Sequence, residues 1–144
     1  ISQLEDYRKL MSGVNLDLDN TMQKMKAMKI ALSRAENPTA ELTSQLHELR
    51  MRLLELYYQM EGNEAMNAIG ADETSIPSPL SRFYYAARAA TTSHGPTGMA
   101  RKSLEIGRNQ LISMRSELDD IADNVLPELK QALEQAGAPP VEGM

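Results

Sequence analysis

The chain has 144 residues, 42% of them hydrophobic, with ten Met, five Tyr, one Phe and neither Trp nor Cys. That suffices for one domain with an aliphatic core, and it excludes disulfides and cysteine-ligated metal sites. A formal net charge of −5 argues against nucleic-acid binding, and no apolar run approaches the roughly 20 residues that a membrane-spanning helix needs.

Three long stretches carry apolar residues at every third or fourth position, the spacing that lines one face of a helix. The first holds Leu4, Tyr7, Met11, Val14, Leu18, Met22, Met25, Met28, Leu32 and Ala35. It predicts a helix over 2–36, opened by a capping box of Ser2 and Glu5. Asn37-Pro38 ends it, because the residue before a proline is pushed out of the helical region. A second helix is expected over 39–61 along Leu42, Leu46, Leu49, Leu53, Leu56 and Met60. Asn37 or Thr39 is its N-cap, Pro38 is tolerated in its first turn, and Gly62 is its stop. So short a connection makes these two helices antiparallel neighbours.

Residues 62–77, with Gly62, Gly70 and Pro77, are the least regular region. Ser78-Pro79 then reads as N-cap and first-turn proline of a short helix over 79–90, with Leu80, Phe83, Tyr84 and Ala87 on one face. Residues 91–96 read as a loop and Thr97 as a cap. The last helix is expected over 98–136 along Leu104, Gly107, Leu111, Met114, Leu118, Ile121 and Val125. Pro127 removes a backbone donor and should kink or interrupt it. Gly137 ends it, and Pro139-Pro140 prevent its continuation. Gly107 stands on the apolar stripe, where glycine costs about 1 kcal/mol against alanine, so a neighbouring backbone or bulky side chain should approach closely there.

The fold class is therefore all-α: an elongated helical bundle of three long helices plus one short helix, forming a single domain over 1–144. The middle column is expected to break at 62–77, with the last helix parallel to the first. Charge supports that alignment. The first helix is acidic early (Glu5, Asp6, Asp17, Asp19) and basic late (Lys24, Lys26, Lys29, Arg34), while the last is basic early (Arg101, Lys102, Arg108) and acidic late (Glu117, Asp119, Asp120, Asp123, Glu128). Parallel alignment pairs opposite charges, although surface pairs contribute little each.

The stripes carry no chemistry. Di-metal bundles use Glu-x-x-His motifs, but Ser44 and Thr91 stand three residues before the two histidines, His47 and His94. His47 reads as an exposed helix residue and His94 as a loop residue. Asp17-x-Asp19-x-Thr21 resembles the start of a calcium loop, yet Met22 and Met28 occupy the positions that need glycine and an acid. Asp119-Asp120 are adjacent on a helix and diverge. The basic residues Lys24, Lys26, Lys29 and Arg34 do not share one narrow face, and read as solvated rather than as a site for an acidic partner. The Phe83-Tyr84-Tyr85 run reads as a core plug rather than a sugar-stacking platform. No catalytic, cofactor-binding or metal-ligating residue is identified.

Four segments go further. Ile1-Ser2-Gln3-Leu4-Glu5-Asp6 opens the chain, and Arg52-Leu53-Leu54-Glu55-Leu56 leads to Gly62-Asn63. Ser75-Ile76-Pro77 precedes Leu80-Ser81-Arg82, and Leu126-Pro127-Glu128-Leu129 precedes Ala136-Gly137-Ala138-Pro139-Pro140. Together they resemble the C-terminal helical domain of large bacterial sortilin-like, BNR (Asp-box) repeat proteins, often labelled glycosyl hydrolases. The motifs are short, and Pro140 departs from the aromatic usual there. The resemblance implies a non-catalytic structural or interaction accessory domain that follows a β-propeller of the same polypeptide, with any hydrolase or ligand site on the propeller. It also implies export to the periplasm or beyond the cell. The start at Ile1, with no initiator Met and directly in a helical pattern, fits a fragment of a longer protein. The alternative is a free-standing cytoplasmic helical adaptor or oligomerisation module. A small all-α enzyme would need a deep polar pocket around Arg50, Arg52 or Arg108.

Overall fold

The computed structural model describes residues 2–62, 78–90, 98–141 and 143, and every described element is helical. The helices are α1 (Ser2–Ser33), α2 (Ala40–Glu61), α3 (Pro79–Ala90), α4 (Gly98–Asp120), a π-helical turn (Ile121–Val125) and α5 (Leu126–Gln135). The chain is an all-α helical bundle. The expected loop over 91–96, the Thr97 cap, His94 and most of the 62–77 region lie outside the described residues. By contacts the chain falls into two compact units, residues 1–15 with 56–115 and residues 16–55 with 116–144.

In the first unit, α1 and α4 run parallel: Tyr7 lies against Gly107 and Gly13 against Arg115. The stripes bury Tyr7, Val14, Leu56, Met60, Leu104, Leu111 and Met114 as expected, whereas Leu4 and Met11 on the first stripe are only half-buried. Ser78 caps α3 reciprocally. Its hydroxyl accepts the Ser81 N–H at 3.2 Å, and the Ser81 hydroxyl accepts the Ser78 N–H at 2.8 Å. Pro79 is the first helical residue, where its missing donor costs nothing. The buried face of α3 is not the one expected. Pro79 and Ala86 are buried, whereas Tyr84 is 56% exposed. The small Ala86 permits close packing, and Tyr84 is left to meet Phe83 edge-on, ring centroids 5.8 Å apart. The aromatic run is therefore not a core plug: Phe83 is half-buried, and Tyr84 and Tyr85 are exposed.

In the second unit, α1 ends at Ser33, three residues before the expected Glu36. The Arg34 and Ala35 N–H groups bond three residues back, to Ala31 and Leu32 at 3.1 Å each, which tightens the last turn. The next two N–H groups leave the helix altogether. Glu36 donates to the Gly137 carbonyl at 3.4 Å and Asn37 to that of Ala136 at 2.9 Å. Pro38 precedes α2 rather than joining its first turn, and Thr39 is the cap, its hydroxyl accepting the Leu42 N–H at 3.1 Å. A Schellman motif closes α5: Ala138 N–H reaches the Leu133 carbonyl at 2.9 Å and Gly137 N–H that of Glu134 at 3.1 Å. Gly137 has φ +74°, and a Cβ there would sit 3.1 Å from Glu36 Cβ. This position accepts glycine for both reasons.

The expected interruption at Pro127 takes a specific form. Residues 121–125 adopt a π-helical turn, in which Leu126 N–H bonds to the Ile121 carbonyl five residues back. A proline ring at 127 would press on the carbonyl four residues earlier in a regular helix. The widened turn relieves that contact. It also resets the buried stripe, which steps from Ile121 to Leu126 instead of to Val125 and continues through Leu129 and Leu133. Val125, placed on the stripe by spacing alone, is only half-buried.

Candidate functional site

Among the described residues, each unit holds a polar cluster that joins helix to helix. In the first unit it centres on Tyr7, which is 2% exposed. Its hydroxyl donates to the Pro79 carbonyl at 2.7 Å. Its ring stacks on Phe83, centroids 6.3 Å apart with the planes 7° from parallel. The space that the ring occupies exists because residue 107 has no side chain: an added Cβ would meet the Tyr7 Oη, with ring carbons at 2.9 Å. Beside it, Arg82 donates to the Ser103 hydroxyl at 3.0 Å, joining α3 to α4. Tyr7 is thus a tie between helices.

Burial pushes the Tyr7 phenol from an ordinary value near 10 up to about 12, against a smaller downward pull from Arg82. The neutral phenol is the form that fits, so its contribution is complete below pH 10. It is lost as the pH rises from 10 to about 12, where the unfolded chain ionises and the folded one resists. The loss is on the order of a few kcal/mol. Tyr7→Phe should therefore flatten this alkaline limb of stability, and should cost about 1–2 kcal/mol at neutral pH by orphaning the Pro79 carbonyl. Denaturant melts of both proteins between pH 8 and 12 measure the difference; parallel limbs would contradict the assignment.

In the second unit the centre is Arg52. Its Nε donates to Glu117 at 2.8 Å and its Nη2 to Asp120 at 2.9 Å, tying α2 to α4. The hydrogen bond to Glu117 raises the Arg52 pKa, with burial opposing and Asp120 adding to the rise. The Asn124 amide, donating at 2.7 Å, and then Arg52 hold Asp120 below its usual range. Arg52 is about one-third exposed, so solvent screens the pairs. Arg52→Met should lower Tm by about 2–4 °C at low ionic strength. Most of that difference should vanish in molar salt, whereas a salt-independent drop would assign it to packing instead.

Beside this network, a groove of about 410 Å³ runs between α2 and α5, lined by Gln45, Glu48, Leu49, Arg52, Glu128 and Leu129 among others. The two carboxylates that meet the Arg52 guanidinium, Glu117 and Asp120, do not line that groove. Arg108 is exposed, and Arg50 borders a separate groove. His47 is exposed, and Asp17, Asp19 and Thr21 lie within α1, where the Thr21 hydroxyl bonds back to the Asp17 carbonyl at 2.7 Å. Among the described residues, no group of three or more His, Asp or Glu is placed to hold a metal ion, and no helix is long and apolar enough to cross a membrane.

The Arg52 network escaped sequence reasoning. Glu117, Asp120 and Asn124 share a helix face by spacing, but nothing local points to a partner 65 residues away. Comparison with protein-family models, curated proteins and solved structures finds no match to this chain.

Proposed function

We propose that this chain is a structural and interaction domain without catalytic groups of its own, attached in its parent protein to an exported bacterial β-propeller of the sortilin-like, BNR-repeat kind. The observation that carries the first half is the role of the two polar centres. The Tyr7 hydroxyl and Arg82 Nη1 in one unit, and the Arg52 guanidinium in the other, make hydrogen bonds that join helix to helix. Outward-facing apolar residues support the interaction role. Met51 and Leu54, one turn apart on α2, are 51% and 39% exposed, and Met99 and Ile106 on α4 are 76% and 41% exposed. The second half is supported by the four segments that resemble that family's closing domain. Reading the gene upstream of the Ile1 codon tests it. Asp-box repeats are the expected result, and an initiation codon directly before Ile1 would refute the attachment.

A further inference from the structure

In the second unit, a groove between α1 and α2 has a basic rim. Its floor is Met25, Leu32 and Leu46, all buried, and its rim is Lys29, His47 and Arg50, all exposed. Among the described residues, no carboxylate lines it. Thr43, the remaining neighbour, directs its hydroxyl hydrogen to the Thr39 carbonyl at 3.3 Å. Among the described residues, none of the three basic side chains makes an ion pair. Arg52, half a turn along the same helix, is instead met by two carboxylates.

Size and lining then restrict the occupant. The space is about 140 Å³, close to the roughly 150 Å³ of an apolar cavity that holds one benzene ring. A guanidinium offers a planar fork that matches a carboxylate, and the ammonium adds a point charge. An inorganic anion would leave the methionine and leucine floor unused, and a neutral hydrocarbon would leave the cations unused. We propose that this groove binds a small monocarboxylate with a single ring-sized or branched apolar body. The hydrocarbon rests on Met25, Leu32 and Leu46, and the carboxylate lies between Lys29 and Arg50 with His47 beside it. The site is independent of any attachment to a propeller.

Titration of the isotopically labelled chain with benzoate, followed by amide NMR, tests it. Saturable binding is expected, with the largest shifts at Lys29, Leu46, His47 and Arg50. Benzyl alcohol, which lacks the charge, and acetate, which lacks the ring, should each bind about tenfold more weakly. The double variant Lys29→Gln/Arg50→Gln changes exposed residues only and should keep its circular dichroism while losing about tenfold in benzoate affinity. Equal binding of benzyl alcohol, non-saturating shifts, or an unweakened double variant would overturn the site. A strong preference for a phenylalanine-terminated peptide acid over benzoate would overturn the small-molecule assignment in favour of a chain terminus.

Discussion

Ile121→Ala is expected to cost about 4 kcal/mol, the upper part of the range for emptying a fully buried aliphatic site. Ile121 is 0% exposed and opens the π-helical turn that resets the buried stripe of the second unit. A side chain at that point has two tasks. It fills the core, and its packing fixes the phase from which Leu126, Leu129 and Leu133 reach the same interior. The gap left by alanine cannot close by a simple shift, because the turn is pinned one residue later by the hydrogen bond from Leu126 to the Ile121 carbonyl. For a chain of this size the loss corresponds to a fall in Tm of roughly 15 °C. Ile121→Val should cost about 1 kcal/mol, and Asp123→Ala, an exposed change in the same turn, should stay within about 0.5 kcal/mol. Chemical denaturation of the three variants decides the point. A penalty for Ile121→Ala no larger than that for Asp123→Ala would show that the turn is not seated in the core.

The second large effect lies in the first unit. Gly107→Ala should destabilise by about 3 kcal/mol, although alanine is the better helix former by about 1 kcal/mol. The added methyl would coincide with the Tyr7 Oη and lie 2.9 Å from two ring carbons. The ring has little freedom to yield, being stacked on Phe83 and hydrogen-bonded at 2.7 Å to the Pro79 carbonyl. Overpacking of about 1–3 kcal/mol therefore adds to the loss of a buried hydrogen bond. Pairing Gly107→Ala with Tyr7→Leu separates these contributions. The two changes should be strongly non-additive, with the double variant more stable than the sum of the singles predicts. Additive behaviour would mean that Tyr7 and Gly107 do not share one space.

Much of this was legible in the sequence, and the reasons differ by residue. The stripe of α2 is buried at every expected position, because six leucine and methionine residues at helical spacing leave one solution. Gly107 announced a close neighbour through its helix cost, but not which one. Tyr7 is 100 positions away in the chain, and only packing brings the two together. The end of α1 was misplaced by three residues because the N–H groups of Glu36 and Asn37 find their acceptors on Gly137 and Ala136, a tertiary pairing that local propensity does not contain. Pro127 signalled an interruption correctly, yet a missing donor does not specify how a helix accommodates it, and the π-helical turn moved the stripe by one residue. On α3, spacing favoured the larger residues Leu80, Phe83 and Tyr84. Packing selected a face through Pro79 and Ala86, since small residues allow closer approach. The polar centres were the least legible, because Arg52 with Glu117 and Tyr7 with Pro79 are pairings across 65 and 72 residues.

The central claim is that the apolar stripes are consumed within one chain, as a structural domain requires, and not between copies, as an oligomerisation module requires. Multi-angle light scattering combined with urea unfolding across a hundredfold range of protein concentration tests it most directly. A 16.0 kDa monomer with an unfolding midpoint independent of concentration is the result this account predicts. A dimer of twice that mass, whose midpoint rises with concentration, would contradict it.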